Sequence, residues 1–143
     1  AEDRVTGYRA ALERAGLPTD TLVIDGDYTE EAGAAGTLQL LDRGVDAVFC
    51  ANDLAARAAL RVLRERGLRV PDDVALAGFD DLDFAAHLHP PLTTIRQNIR
   101  EHGAEAAGSL LQLLDDPAGR PRRVVLPTEL VIRQSTVGGV PRP

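Results

Sequence analysis

The stretch GFDDLDFAAHLHPPLTTIRQ (78–97) sets Asp80, Asp81 and Asp83 beside His87 and His89, just where an apolar run ends. Carboxylates and imidazoles at that density suit three chemistries: a metal cage, an acid–base or phosphoryl-transfer centre, or a clamp for hydroxyl groups. The metal cage has no further ligand cluster to close its shell. A magnesium-dependent phosphoryl site needs a phosphate loop and basic partners. The chain has no such loop, no lysine, and no Ser–His–Asp order. No catalytic residue, metal or cofactor is therefore expected.

A clamp, or only a polar loop, stays open at this point. Plainer roles stand beside the clamp. Asn52 or Asp53 can cap the helix that follows, and Asp80 and Asp81 can be solvated loop acids. Arg4 can pair with Glu2 or Asp3, and Gln97 can be an ordinary polar strand end. Cys50, in the apolar run DAVFCA, reads as an inert buried thiol.

The elements that must position these residues alternate along the chain. RVTGYRAALERAG places Val5, Tyr8, Leu12 and Ala15 on one helical face and stops at Gly16 and Pro18. TLVID (21–25) is a strand candidate. TEEAGAAGTLQLLDRG reads as a helix capped by Thr29, with Gly33 and Gly36 allowing close approach to a sheet. DAVFCA (46–51) and DVALAGFD are apolar runs suited to strands covered on both faces. Between them NDLAARAALRVLRERG forms a helix, with Ala55, Ala59, Val62 and Leu63 buried and Arg57, Arg61 and Arg64 wet.

A helical turn through DFAAHLH leads to Pro90-Pro91 and the run LTTIRQ. NIREHGAEAAGSLLQLLDDP is a further helix, with Asn98 and Glu101 in a capping-box-like start. Its apolar spacing comes from Ile99, Ala106, Leu110, Leu113 and Leu114, and His102 should be exposed on it. RRVVLPTELVIRQST holds two strand candidates broken by Pro127, and 138–143 is expected to be a flexible tail. Such alternation predicts an α/β three-layer sandwich with a mainly parallel sheet and right-handed crossovers. Ligands bind such sheets outside the carboxyl ends of the strands, which singles out Asn52 and Asp80.

Composition narrows the function. The 143 residues suit one domain with a core of its own, and 44% hydrophobic residues argue against disorder. A net charge of −6 disfavours a nucleic-acid surface on this chain. One cysteine excludes an internal disulfide framework. No apolar run approaches the roughly 20 residues that span a bilayer. The chain opens AEDRVTGYRA without methionine and reads as a piece of a longer protein.

RVTGY, VFCANDLAARAALRVLRERGLRVPDDVALAGFDD, PPLTTIRQ and LPTELVIRQST resemble the LacI/GalR family of bacterial transcriptional regulators, over residues 4–136 and in family order. The resemblance implies the second half of a periplasmic-binding-protein-like effector core. Residues 1–97 and 123–137 would form its second lobe, and the helix at 98–116 would belong to the first. The DNA-binding head and most of the first lobe would lie outside this chain. Carried over by position, Arg4, Asn52, Asp80 and Gln97 would bind the effector, expected to be a sugar. Phe84, Ala86, His87 and Leu88 would join a homodimer seam, as an exposed apolar patch rimmed by Asp81 and Asp83.

The implied protein is a cytoplasmic, ligand-controlled, dimeric repressor. It would reach operator DNA through its head and is no enzyme and no membrane protein. The alternative is a periplasmic sugar-binding protein of a transport system.

Overall fold

A computed structural model describes residues 2–18, 22–116, 119–120 and 123–137. The tail at 138–143, and Thr21 of the first strand candidate, lie outside the described residues.

The core is built around α3, Asp53–Glu65. Asn52 starts it from an extended backbone, its side chain accepting the Ala55 amide at 2.8 Å. Ala55, Ala56, Ala59, Leu60, Val62 and Leu63 are buried, so small residues let the helix sit close to the sheet. Arg61 and Arg64 point to solvent as expected. Arg57 does not: it is half-buried, paired with Glu30 and stacked 4.6 Å over the Phe84 ring.

Beneath it, β1 (Ala47–Phe49) and β2 (Ala75–Ala77) run parallel with Val48 opposite Leu76, both buried. β3 (Thr94–Gln97) continues the sheet through parallel bridges Ala77–Thr93 and Asp80–Arg96. β4 (Thr128–Val131) closes the edge antiparallel to β3. Ser135 straps the layers together, receiving the Leu76 amide on its carbonyl and donating its hydroxyl to the Leu76 carbonyl at 2.6 Å. A 3-10 turn, Asp83–His87, packs Ala85 into the core beside Leu92.

Two strand candidates are corrected. Residues 22–25 carry no ladder, and Leu22 and Val23 stay exposed because no described strand offers them a backbone partner. Residues 123–127 are likewise without a strand, since only the segment after Pro127 reaches β3.

α2 (Glu30–Leu41) begins at Thr29, whose hydroxyl accepts the Ala32 amide, and ends before Gly44, whose positive φ of 75° is the left-handed stop. Its close approach is to α3, not the sheet: a Cβ on Gly33 would lie 2.6 Å from the Ala55 Cα. Gly36 faces Ile24. The expected buried face of α1 (Glu2–Arg14) is only partial, with Val5 and Leu12 half-buried and Tyr8 exposed. α4 (Ile99–Asp115) has no buried residue, and Ile99, Leu110, Leu111 and Leu114 are open. His102 on it is half-buried, not exposed as expected.

Candidate functional site

The carboxyl ends of β1, β2 and β3 open on one edge, and the four ligand-site candidates gather there. Arg4 reaches across from α1. Its guanidinium donates to the Ala51 carbonyl at 2.5 Å and lies 3.7 Å over the Phe79 ring. It therefore touches the neighbours of both Asn52 and Asp80. Gln97, at the end of β3, donates its amide to Asp80 Oδ1 at 2.6 Å. Asn52 is a cap as well as an edge residue: its oxygen holds the Ala55 amide and its nitrogen donates to the Tyr28 carbonyl at 2.9 Å. One amide hydrogen of Asn52 is left for other use.

Asp80 and Asp81 sit at φ values of 117° and 55°, a region that non-glycine residues enter at a cost. The surrounding bonds hold them there. The Asp80 amide donates to the Ile95 carbonyl at 2.8 Å, and the Leu82 amide to Asp53 Oδ2 at 2.8 Å. Asp53 is fully buried, accepts the Thr94 hydroxyl at 2.6 Å on its other oxygen, and donates its own amide to the Phe79 carbonyl. Burial raises its pKa, as do Asp80 and Asp81 nearby, while the Thr94 and Leu82 hydrogen bonds pull the other way. Sequence reasoning weighed Asp53 only as a cap; an acid falling in phase with the buried alanines was the available signal.

Asp81 is not a solvated loop acid. Arg133 and Arg96 each donate to it at 2.7 Å, and Arg133 also donates to the Leu92 carbonyl at 2.8 Å. Burial opposes its ionisation, but the hydrogen bonds and charges of the two arginines outweigh this and lower its pKa. The brace continues to Glu129 through Arg96 at 3.1 Å. Gly78 leaves no room for a side chain, because a Cβ would overlap Asp53 Oδ1 and come within 3.0 Å of Leu92 Cδ2.

Tyr28 was missed by sequence reasoning. It takes a left-handed backbone (φ 68°), is 42% exposed, and is tied to the edge through its carbonyl by Asn52.

The other candidates separate. Asp83, His87 and His89 are exposed, and among the described residues no three His, Cys, Asp or Glu side chains are grouped to hold a metal. The Cys50 thiol is pushed up to about 12 by burial and then by the Asp53 charge, as an inert thiol requires. The expected exposed patch at the 3-10 turn is smaller than anticipated. Ala86 and His87 are exposed, but Phe84 is half-buried beneath Arg57 and Leu88 packs on the core.

Residues 1–136 match a family model described as a periplasmic binding protein-like domain. The chain is 47% identical over 136 residues to the HTH-type transcriptional regulator CelR of Thermobifida fusca, covering 93% of this chain and 40% of that protein. It is 42% identical over 139 residues to the HTH-type transcriptional repressor CytR of Escherichia coli K12, again 93% of this chain and 40% of the relative.

Among solved structures, a CelR–cellobiose complex matches with TM-score 0.87 and 45% identity, over 92% of this chain and 41% of that one. A LacI family regulator from Enterococcus faecium with bound ribose matches with TM-score 0.84 and 33% identity, over 93% and 50%. The chain thus spans from about two fifths to half the length of these relatives. Helices on a mainly parallel sheet, in a periplasmic-binding-protein-like arrangement, is the fold class expected from the sequence.

Proposed function

The chain belongs to the periplasmic-binding-protein-like domain family, among the LacI/GalR-type transcriptional regulators, and from that membership we propose that it forms part of an effector core whose ligand is a sugar. The observation that carries this reading is the convergence of Arg4, Asn52, Asp80 and Gln97 on one edge of the sheet. A carboxylate, an amide pair and a guanidinium discriminate hydroxyl-rich ligands, because an analogue lacking a hydroxyl leaves a buried polar group unpaired. The relatives solved with cellobiose and with ribose lend the same support.

The chain itself is no enzyme in this reading, and the intact protein is cytoplasmic. Residues 1–97 and 123–137 make the second lobe, while α4 is donated to the first. The open apolar side chains of α4 favour that division. Ala86 and His87, with the half-buried Phe84 and Leu88, supply part of a homodimer seam. A head domain elsewhere in the intact protein contacts operator DNA. Sugar acts by favouring one lobe angle over the other, which requires different affinity for the two states.

Calorimetric titration of the full-length protein with a sugar panel including cellobiose and ribose tests this. Asp80→Asn should weaken the responding sugar by about tenfold or more, on the scale of a charge-assisted hydrogen bond, with the melting profile retained. An unchanged titration refutes the site. Kinship favours the regulator over a transport protein, and a helix-turn-helix encoded just upstream would decide between them.

A further inference from the structure

Asp80, Asn52 and Gln97 are held at the sheet end by hydrogen bonds that leave their side chains little freedom. Asp80 is tied by Gln97 and by its own amide, and Asn52 by Ala55 and Tyr28. Arg4 is different. It projects from a helix with no buried residue, and one bond to the Ala51 carbonyl leaves the guanidinium plane free to swing about that contact. The Phe79 ring, 3.7 Å from Cζ, removes that freedom by covering one face of the guanidinium. The backbone that carries the ring is fixed: Phe79 lies between Gly78, packed on Asp53, and the restrained Asp80, and its carbonyl takes the Asp53 amide.

We propose that Phe79 is a positioning residue for ligand recognition: a rigid aromatic shelf that holds the Arg4 guanidinium in one plane, so that its in-plane N–H pair meets two adjacent hydroxyls of the sugar. This rests on the sugar-binding reading of the edge. A planar donor fork recognises a vicinal pair only when its orientation is set beforehand, since ordering it at binding costs affinity. Stacking on an aromatic face suits arginine and not lysine, whose ammonium is a point charge. Phe79 also precedes Asp80 directly, so the shelf and the carboxylate are carried by one backbone segment.

The test uses the full-length protein with isotope-labelled arginine. The Arg4 Nε–H signal, identified by its loss in Arg4→Lys, should be displaced upfield by the ring in the native protein and in Phe79→Tyr. In Phe79→Leu it should return to the position of exposed arginines. Titration with mono- and disaccharides, cellobiose and ribose among them, should show affinity about tenfold weaker in Phe79→Leu, the span of a cation–π contact. Phe79→Tyr should restore it. In an Arg4→Lys background the Phe79→Leu change should cost nothing further, because the shelf then has nothing to hold.

An equal loss in both backgrounds, or an Arg4 signal that ignores the ring, overturns the proposal. Retained upfield displacement with intact affinity in Phe79→Leu does so as well. A native protein that binds none of the sugars ends the sugar reading, and the role of the ring with it, whatever the arginine spectrum shows.

Discussion

Asp81 and Asp53 are neighbouring acids whose surroundings drive them in opposite directions. Arg133 and Arg96 lower the pKa of Asp81, so its stabilising effect is present above the unfolded value of about 3.9 and is lost as pH falls through the folded one. Asp53 is raised by burial, so its effect is fullest below about 3.9 and fades as pH rises through its folded value. Its charge is a burden at neutral pH, tolerated because both oxygens accept hydrogen bonds. Asp81→Asn should therefore cost about 2 kcal/mol at neutral pH, through the partly buried contact with Arg133. It should also flatten the acid limb: melts between about pH 7 and pH 3 should lose less in the variant than in the native protein. A steeper acid limb in the variant would contradict the assignment.

Asn52 tests how one side chain serves two duties. Asn52→Ala should remove about 1 kcal/mol of cap energy. Asn52→Ser should recover most of it, since a hydroxyl also caps, yet lose the amide bond to Tyr28. Chemical denaturation of the pair separates these contributions, and equal destabilisation by both would argue against capping as the main structural role.

At the scale of elements, glycine-to-alanine changes distinguish packed contacts from open ones. Gly33→Ala drives a methyl into the backbone of α3 at Ala55, and should cost about 1–3 kcal/mol by forcing α2 and α3 apart. The same change at Gly103 in α4 meets nothing within 4 Å and should stabilise by about 0.4–1 kcal/mol, through the backbone freedom removed from the unfolded chain. Thermal melts of the two variants should move in opposite directions. Matching shifts would show that the α2–α3 contact is looser than the geometry implies.

At the scale of the whole molecule, the effector-core reading makes the described chain one wall of a cleft. α1 and α4 contribute no buried residue, and Leu110, Leu111 and Leu114 of α4 are open. The isolated chain should accordingly bind sugar far more weakly than the full-length protein, or not at all. A thermal-shift screen across the panel checks this. Tight binding by the fragment would mean that its own edge is a sufficient site.

The order of elements could be read from sequence alone, because periodicity and capping act over a few residues. The buried stripe of α3, the Thr29, Asn52 and Asn98 caps and the turn at 83–87 all formed as their spacing demanded. The edge position of Asn52 and Asp80 followed from the same pattern, since both fall just beyond apolar strands. Tertiary structure alone decided what these residues touch. Whether Asp81 meets water or two arginines depends on Arg133, 52 positions away along the chain. Whether Asp53 is a cap or a buried brace depends on Thr94, 41 positions away. Likewise, residues 22–25 are strand-like in composition but form no ladder, because pairing needs a free partner edge that local composition cannot supply. Local preferences determine where the chain bends and coils, whereas ionisation and hydrogen-bond choice depend on the distant groups that folding brings alongside.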